Sequence, residues 1–410
     1  MTNKLCGKTI LFISGGLEAI PAVQHAKKLG LEVVVSDRDK HAPAFKFADY
    51  KLIADTYDSL ETLNVAREFH EQKQKIDGVI CVAADVPKTV ATVAQGLGLP
   101  GISVQAATLA SDKLLMKDQF KRDGVPIPWY TPVESIEELK RLVGERGLPM
   151  VLKPVDSRGA RGVLCLTADI DLKWAFHESV QYSPTNRVML EQYLDGPQVS
   201  TESILINGIA YTPGFADRNY ELMDQCAPFV IEDGGDLPSC LDENIQEEIK
   251  LLVQRAATSM GITNGVVKGD IVVHGGKPHV IELAARLSGG YFCTHEIPLN
   301  TGVDFVGAAI KLALGITLEE NELKPKFNKY VCQRYFFPKE GRVTRIEGVE
   351  QVSNRATTEF LDVRLKLGDI VKPIHNHLAR GGMVICSGNS RQDALDNALR
   401  VVSEIKIVTQ

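Results

Sequence analysis

Two acidic residues on a predicted β-hairpin constrain this chain more than any other feature of the sequence. The stretch from Asp270 to Glu282 contains two apolar runs around Gly275-Gly276, which is typical of a hairpin. If residues 275–277 form a three-residue loop, His274 pairs with Pro278 and Asp270 lies directly opposite Glu282. We therefore expect both carboxylates on one face of the sheet.

The repulsion between these two acids has to be offset by something. Like charges directly opposite each other cost roughly 3 kcal/mol at about 5 Å, with an effective dielectric constant near 20. A shared proton would offset this, but hard carboxylate oxygens with Arg286 just beyond them favour Mg²⁺, or alternatively Mn²⁺, carrying substrate phosphates. A solvated hairpin is the alternative, and the apolar flanks disfavour it. Glu282→Gln is then expected to abolish turnover and to relieve the repulsion.

Composition and charge indicate a soluble protein of several domains that acts on small molecules. The 410 residues are 44% hydrophobic, which provides for two or three cores. A net charge of -6 gives no general attraction to nucleic acid or to an anionic membrane. We expect a cytoplasmic location, because neither a signal peptide nor a membrane-spanning stretch is evident. The eight cysteines lack any Cys-x-x-Cys pair, and only Cys293 lies near the candidate site.

The N-terminal segment, residues 1–108, alternates strand and helix patterns and predicts an α/β fold with a doubly wound parallel sheet. Gly15-Gly16 follows the first apolar run, but no G-x-G-x-x-G opens the next helix, which argues against a dinucleotide site. Asp37, Arg38 and Asp85 follow predicted strands. They form either a substrate pocket or ordinary strand-end and helix-cap acids.

A second segment, residues 109–320, carries groups suited to an anionic ligand. One helix is predicted from Ser103 to about Arg122. Lys153 lies in an apolar strand, and a buried lysine needs an anionic partner. The glycine-containing turn at 157–162 can offer backbone N–H groups to phosphate oxygens. Glu191 ends another strand, before an apolar hinge that can read an adenine edge.

Two further regions leave alternatives open. Residues 215–239 are charged and rich in glycine, so they either select a substrate or form a solvated loop. Residues 325–410 predict a small α+β domain with a final helix. Within it, His375-Asn-His377 could chelate zinc, but no third ligand is near in sequence.

Together these motifs resemble the ATP-grasp superfamily of carboxylate–amine ligases over nearly the whole chain. Six segments occur in the family's order and spacing: Ser111-Asp-Lys113, Val-Leu-Lys153-Pro, the 157–162 loop, Glu191-Gln-Tyr-Leu-x-Gly-Pro, the pair Asp270 and Glu282, and Arg286-Leu-x-Gly-Gly. The resemblance implies an N-terminal doubly wound sheet, a central ATP-grasp α+β domain with a mobile lid at about 125–190, and a small C-terminal α+β domain.

The resemblance also implies roles for individual residues. Asp270 and Glu282 would bind Mg²⁺, while Arg286 and Lys153 would act on the transferred phosphoryl group. The implied ATP-binding residues are Lys113, Lys153, Ser157, Gly159, Gly162, Glu191, Tyr193, Leu194, Gln198 and Val272. The residues expected to face the other substrates are Glu202, Asp217, Arg218, Glu232, Ser288, Gly289 and Gly290.

The implied reaction activates a carboxylate as an acyl-phosphate, which an amine attacks with release of ADP and phosphate. The sequence looks most like the amino-acid or dipeptide ligases, with purine-biosynthetic ligases and biotin-dependent carboxylases next. A non-catalytic nucleotide-binding regulatory protein and a simple kinase are alternatives of other classes. Three positions depart from the family pattern, namely Asp270, Ala284 and Gln198, where Glu, Asn and an acid are more usual. The expected partners are small molecules, and any assembly is expected to be a homodimer.

Overall fold

A four-stranded parallel sheet with helices on both faces forms the N-terminal part of the computed structural model, which describes residues 5–410. The strand order is β3-β2-β1-β4, and the elements are β1 (Thr9–Ile13), α1 (Ile20–Lys28), β2 (Glu32–Asp37), β3 (Tyr50–Ile53), α2 (Ser59–Gln72), β4 (Gly78–Ile80), α3 (Pro87–Gly96), α4 (Val104–Ser111) and α5 (Lys113–Arg122). Ile10 and Phe12 pack with α1, whereas Leu11 and Ile13 pack with α2 and α3. The predicted doubly wound sheet is confirmed, although the first four residues of the 1–108 segment lie outside the description.

The single helix predicted from Ser103 to Arg122 is in fact two helices, separated at Asp112. The backbone of Asp112 is extended, and its carboxylate accepts hydrogen bonds from the N–H groups of Leu114 and Leu115, each at 3.0 Å. An aspartate that caps a new helix competes with continuation of the previous one. Lys113 therefore occupies the first turn of α5 rather than the middle of a long helix.

The segment predicted as the lid forms its own antiparallel sheet, in the order β5-β8-β6-β7. Its elements are β5 (Tyr130–Val133), α6 (Ile136–Arg146), β6 (Met150–Pro154), β7 (Leu164–Leu166), α7 (Leu172–Val180) and β8 (Val188–Gln192). Leu139, Leu152 and Leu190 are fully buried between this sheet and its helices. The glycine-containing loop joins β6 to β7, as the sequence predicts. The mobility of this segment remains a prediction.

An eight-stranded sheet forms the floor of the molecule, in the order β13-β12-β9-β10-β11-β14-β18-β16. The central elements are β9 (Gln198–Ile206), β10 (Ile209–Asn219), α8 (Met223–Cys226), β11 (Gly234–Leu237), α9 (Glu243–Ser259), β12 (Gly265–His274), β13 (Lys277–Ala284), a π-helical turn (Phe292–Glu296), α10 (Ile297–Thr301) and α11 (Phe305–Ala313). Single 3₁₀ turns lie at Leu17–Ala19, Pro43–Lys46, Glu320–Glu322 and His377–Ala379. No helix within residues 5–410 combines the length and apolar character needed to cross a bilayer.

The C-terminal segment is α+β, as predicted, and its strands divide between a separate three-stranded sheet, in the order β17-β15-β19, and the eight-stranded sheet. Its elements are β14 (Tyr330–Tyr335), β15 (Gly341–Glu347), α12 (Val349–Ser353), β16 (Thr358–Val363), β17 (Ile370–Val371), β18 (Gly382–Gly388), α13 (Arg391–Glu404) and β19 (Lys406–Thr409). β14 pairs with β11, and β14, β18 and β16 thereby extend the eight-stranded sheet. Residues from the C-terminus consequently reach the same surface as those of β10 and β12.

The β12–β13 hairpin confirms the predicted pairing but not the predicted loop. Its turn has two residues, Gly275 and Gly276, both with positive φ (56° and 75°), and His274 pairs with Lys277. Such turns match the twist of antiparallel strands. This register alone would not align Asp270 with Glu282. A β-bulge next to Asp270 adds one residue to β13 and brings the two acids opposite each other.

A buried carboxylate ties β9 to the segment that follows the hairpin. Glu202 is fully buried, and its oxygens accept hydrogen bonds from the Ser288 N–H (2.8 Å) and from the Ser288 hydroxyl. Burial raises the pKa of Glu202 to about 7, although the bonds from Ser288 act in the opposite direction. Folding therefore favours the protonated acid at neutral pH.

Glu202→Gln is expected to stabilise the protein at alkaline pH. Because the folded-state pKa exceeds the unfolded value, the wild type loses stability as the pH rises from about 4.5 to 7, and the loss persists above 7. The amide side chain of the variant does not titrate in this pH range. Urea unfolding should show an advantage of up to about 3 kcal/mol at pH 8 that shrinks towards pH 5.

Glu340→Gln, at an exposed position, is the control, and its effect should not depend on pH. A Glu202→Gln effect that is equal at pH 5 and pH 8 would contradict the assignment of the raised pKa.

Candidate active site

A cavity of about 610 Å³ lies between the lid segment, the eight-stranded sheet and the N-terminal elements. All the residues predicted for the site line this cavity except Gly162 and Glu202. Gly162 has positive φ (71°) and packs against α7, where an added Cβ would lie 3.1 Å from the Ser179 carbonyl oxygen. Glu202 lies behind the cavity wall and accepts hydrogen bonds from Ser288, which lines the cavity. The predicted residues therefore converge, with these two in supporting positions.

Cations of the protein itself neutralise the two facing acids. Asp270 forms ion pairs with Arg218 (2.9 Å) and Lys268, and Glu282 forms one with Lys113 (3.1 Å). Burial acts to raise the pKa of Asp270, but Arg218 and Lys268 outweigh it and lower the pKa well below its usual range. Glu282→Gln would therefore have two opposing effects. It would relieve the repulsion from Asp270, but it would also leave Lys113 without its carboxylate partner.

The donor set fits a magnesium ion that is shared with a phosphorylated ligand. Asp270 and Glu282 present hard oxygen ligands on the cavity wall. Within residues 5–410, no three His, Cys, Asp or Glu side chains lie close enough together to hold a metal alone. Two carboxylates with phosphate oxygens match the way Mg²⁺ is usually held at nucleotide sites.

A buried charge cluster of one acid and two lysines lies between the lid segment and α5, beside the cavity. Glu191 is 2% exposed and contacts Lys117 at 2.6 Å and Lys153 at 2.5 Å. Burial acts to raise the pKa of Glu191, but the two lysine charges lower it. Burial also lowers the pKa of Lys117 to about 8. Glu191, predicted to read adenine, thus fixes the ammonium group of Lys153.

Sequence reasoning assigned no role to Lys117. Its spacing of four residues from Lys113 places both side chains on one face of α5, and this was the available signal. Lys117 also donates a hydrogen bond to the Val280 carbonyl at 3.1 Å. The helix that carries Lys113 is thereby joined to both the lid segment and β13.

Asp85, at the carboxyl end of the N-terminal sheet, lies between two arginines of the site. Its carboxylate is 3.6 Å from Arg286 Nε and 3.7 Å from Arg158 Nε, and Arg158 stacks over the Tyr57 ring at 4.4 Å. Of the three polar residues predicted to follow strands, Asp85 alone lines the cavity. Neither of the other two strand-end candidates lines the cavity, since Asp37 accepts the Gly15 N–H (2.8 Å) and Arg38 contacts Asp55.

The two candidates on β10 both line the cavity, but their side chains have different partners. Arg218 contacts Glu232 at 2.7 Å and faces the cavity. The Asp217 carboxylate is occupied elsewhere, because it contacts Arg391 at 2.7 Å and accepts the Cys240 N–H at 2.8 Å. The period of two along a strand explains why neighbours in sequence have different partners.

The two histidines of the proposed zinc pair have separate partners. His375 stacks on Phe229 at 4.2 Å, while His377 lines the cavity and accepts the Glu232 N–H at 3.4 Å. Cys293 is fully buried, and burial raises the pKa of its thiol well above the usual value. Neither feature supplies a metal ligand set or a nucleophile among the described residues.

Several residues of the C-terminal segment line the cavity without having been predicted to do so. They are Gln333, Tyr335, Arg364, His377, Leu378 and Arg380. The pairing of β11 with β14 brings them there, and these strands are about a hundred residues apart in the chain. No local sequence signal reports such a long-range pairing.

Models of known domain families match most of the chain. Residues 23–101 match the ATP-grasp N-terminal domain, residues 110–290 match the ATP-grasp domain, and residues 334–410 match the L-amino acid ligase C-terminal domain 2. The three matches follow each other without overlap, in the order of the three segments described above.

Individual relatives agree with this assignment. A D-alanine–D-alanine ligase of Gloeobacter violaceus is 30% identical over 199 residues, which is 46% of this chain and 63%, less than two thirds, of that protein. A formate-dependent phosphoribosylglycinamide formyltransferase of Saccharolobus solfataricus is 21% identical, covering 98% of this chain and 97% of that protein. The crystal structure of an L-amino acid ligase from Bacillus licheniformis shares the fold, with a TM-score of 0.83 at 21% identity and 99% coverage of both chains. The chain is thus built of ATP-grasp domains over most of its length, and it is similar to carboxylate–amine ligases that contain such domains.

Proposed function

We propose that this protein uses ATP to join a carboxylate to an amine through an acyl-phosphate, with release of ADP and phosphate. Support comes from one cavity that holds the facing acids Asp270 and Glu282 together with Lys153 and Arg286. Amino-acid or dipeptide-type ligation is the preferred subtype, because residues 334–410 match an L-amino acid ligase domain. The cytoplasmic location and the homodimer remain expectations.

The chain's own cations neutralise and align the phosphates. Lys113 contacts the glycine-containing loop at residues 157–162, which we term the lid loop, and Lys153 lies on β6 just before it. Arg286 lies on the floor beside Asp85. Phosphoryl transfer is promoted mainly by charge neutralisation and alignment, so these groups suit the transferred phosphoryl. Tyr193 and Leu194 would flank the adenine, with the buried Val272 beneath it.

Gln198, at the start of β9, is the proposed ribose contact. Its side-chain oxygen accepts a hydrogen bond from the Tyr220 hydroxyl at 3.1 Å. This bond fixes the amide so that its N–H groups can face a sugar hydroxyl. Magnesium, when bound by Asp270 and Glu282, would supply further positive charge at the phosphates.

The lid loop is held over the cavity by contacts to three other parts of the protein. Lys113 Nζ donates to the Ser157 carbonyl (3.0 Å), the His377 N–H donates to the Gly159 carbonyl (3.2 Å), and Arg158 lies beside Asp85. A covered site keeps water away from an acyl-phosphate. An amine that enters this space then attacks the activated carbonyl carbon, and phosphate leaves.

Pooled carboxylates assayed against pooled amines test the proposal. We expect Mg²⁺-dependent ADP release that requires one member of each pool. ADP release with bicarbonate or formate in place of an organic carboxylate would favour the purine-type or carboxylase-type alternatives. Nucleotide binding without any turnover would favour a regulatory protein, and a stable phosphorylated product without an amine would indicate a kinase.

Glu282→Gln should abolish turnover while the fold is retained. We expect kcat to fall by about 100-fold or more, because one of two metal carboxylates and the partner of Lys113 are lost. The free energy of unfolding should be unchanged or slightly lower without magnesium. Near-normal ADP formation in the variant would exclude Glu282 from the metal site, and Glu340→Gln serves as the exposed control.

Asp85→Asn should lower kcat without changing the KM for ATP. The neutral amide no longer orients Arg286 and Arg158 together, and a misplaced catalytic group costs up to about 100-fold in rate. Asp37→Asn is the matched control, because Asp37 also lies at the carboxyl end of the N-terminal sheet but does not line the cavity. An equal loss of activity in both variants would contradict a positioning role for Asp85.

A further inference from the structure

One end of the cavity, next to Gly290, is lined by the buried side chains of Glu296 and Gln333, and we term this pair the acceptor subsite. The Gln333 amide nitrogen donates both to the Gly290 carbonyl oxygen (2.5 Å) and to Glu296 Oε1 (2.7 Å). Both amide hydrogens are therefore used. No described residue donates a hydrogen bond to Gln333 Oε1 or to Glu296 Oε2, so both atoms can accept bonds from a ligand when Glu296 is ionised.

The Glu296 carboxylate has no cationic partner among the described residues. Glu296 and Gln333 are each 3% exposed, yet both line the cavity. The nearby arginines are already engaged, because Arg364 contacts Glu18 (2.7 Å) and Asp362 (2.8 Å), and Arg380 donates to the Glu232 carbonyl oxygen (2.5 Å). A buried carboxylate without a counter-charge is costly to the folded protein.

The electrostatic surroundings of Glu296 favour a positive ligand. Burial raises the pKa of Glu296 well above its usual value, and the charges of Glu232, Asp236 and Glu202 act in the same direction. Arg334 acts in the opposite direction, but it is itself paired with Asp236 at 3.1 Å. An arriving cation would remove this penalty.

The local backbone is arranged to direct Glu296 into the cavity. Tyr291 has a left-handed conformation (φ 61°) and begins a π-helical turn, Phe292–Glu296. The Glu296 N–H bonds to the Tyr291 carbonyl oxygen at 3.3 Å, a wider spacing than in an α-helix. Turns of this kind are rare and frequent at functional sites. A side chain at Gly290 would meet the Tyr335 hydroxyl at 2.8 Å, so this wall must remain bare backbone.

We propose that Glu296 and Gln333 bind a spectator ammonium group of the carboxylate substrate and so restrict that substrate to amino-carboxylates. The inference rests on the proposed ligase function. Gly289 and Gly290 follow Arg286 within four residues, so the subsite lies on the side of the cavity where the carboxylate would be activated.

The charge of the subsite assigns the ammonium to the activated substrate rather than to the attacking amine. An amine must be deprotonated to attack an acyl-phosphate, whereas a carboxylate partner keeps an ammonium group protonated. Glu296 would therefore prevent the amino group of the activated substrate from acting as the nucleophile. The attacking amine would enter elsewhere.

Matched substrate pairs test this assignment on the wild-type protein. Hydroxylamine serves as the common amine, and its nitrogen displaces phosphate from an acyl-phosphate to give a hydroxamate. Each pair replaces the ammonium group by methyl: alanine and 2-methylpropanoate, 3-aminopropanoate and butanoate, 4-aminobutanoate and pentanoate. We expect at least one ammonium member to exceed its methyl partner in kcat/KM by about 100-fold or more.

Equal use of both members of every pair would overturn the assignment while leaving the ligase function intact. If no carboxylate supported ADP release with hydroxylamine or with the pooled amines, both the ligase function and the assignment of Glu296 and Gln333 would be wrong.

Glu296→Gln tests the residue itself. The variant keeps the shape of the side chain but not its charge, so we expect the preference for the ammonium member to fall below about 5-fold. The kcat/KM of the methyl member and the KM for ATP should not change. Glu340→Gln, exposed and distant from the cavity lining, should keep the full preference.

Retention of the full preference by a folded Glu296→Gln variant would overturn the assignment. Thermal unfolding and ATP binding, measured on the same sample, establish that the variant is folded. If the variant is not folded, the matched substrate pairs assayed with the wild-type protein test the assignment on their own.

Discussion

The cavity is organised around one electrostatic constraint, which is the close approach of two carboxylates across neighbouring strands. Asp270 and Glu282 face each other because a β-bulge shifts the register of β13 by one residue. Such a pair persists only if positive charge is nearby. In this structure Arg218, Lys268 and Lys113 supply it. The same arrangement suits a metal cation that arrives with a phosphorylated ligand, because the three protein cations can then contact the phosphates.

The cations come from elements that are remote in the chain, and this convergence produces the cavity. Lys113 is positioned by the Asp112 cap, which starts α5 at the cavity wall. Lys153 is fixed by Glu191 from the neighbouring strand of the lid segment. The charges are thus organised by buried ion pairs rather than by solvent, and such pairs hold only when both partners are retained. The lid segment, the floor and the N-terminal sheet are consequently linked through charge.

The sequence predicted those parts of the fold and site that local patterns encode. The N-terminal sheet followed from alternating apolar strands and helices, and the facing acids followed from the hairpin around Gly275-Gly276. Two local details were wrong. The helix break at Asp112 arises because a side chain competes with the backbone, and the two-residue turn is compensated by a bulge. Both errors lie within a few residues of correctly placed elements.

The remaining differences arise from long-range pairing, which no local pattern reports. The pairing of β14 with β11 brings Gln333 to the cavity, and Asp85 reaches Arg286 only through the packing of the N-terminal sheet on the floor. The sequence likewise did not indicate that the Lys117 side chain is fully buried. A residue's role in this site is therefore set as much by its partners as by its type.

A crystal structure with magnesium and a non-hydrolysable ATP analogue tests the central claim most directly. The account predicts a cation bound by Asp270 and Glu282, with the terminal phosphate beside Lys153 and Arg286 and with Lys113 moved from Glu282 to a phosphate. A nucleotide bound elsewhere, or one bound in the cavity while both acids keep their ion pairs to protein cations and no metal lies between them, would contradict it.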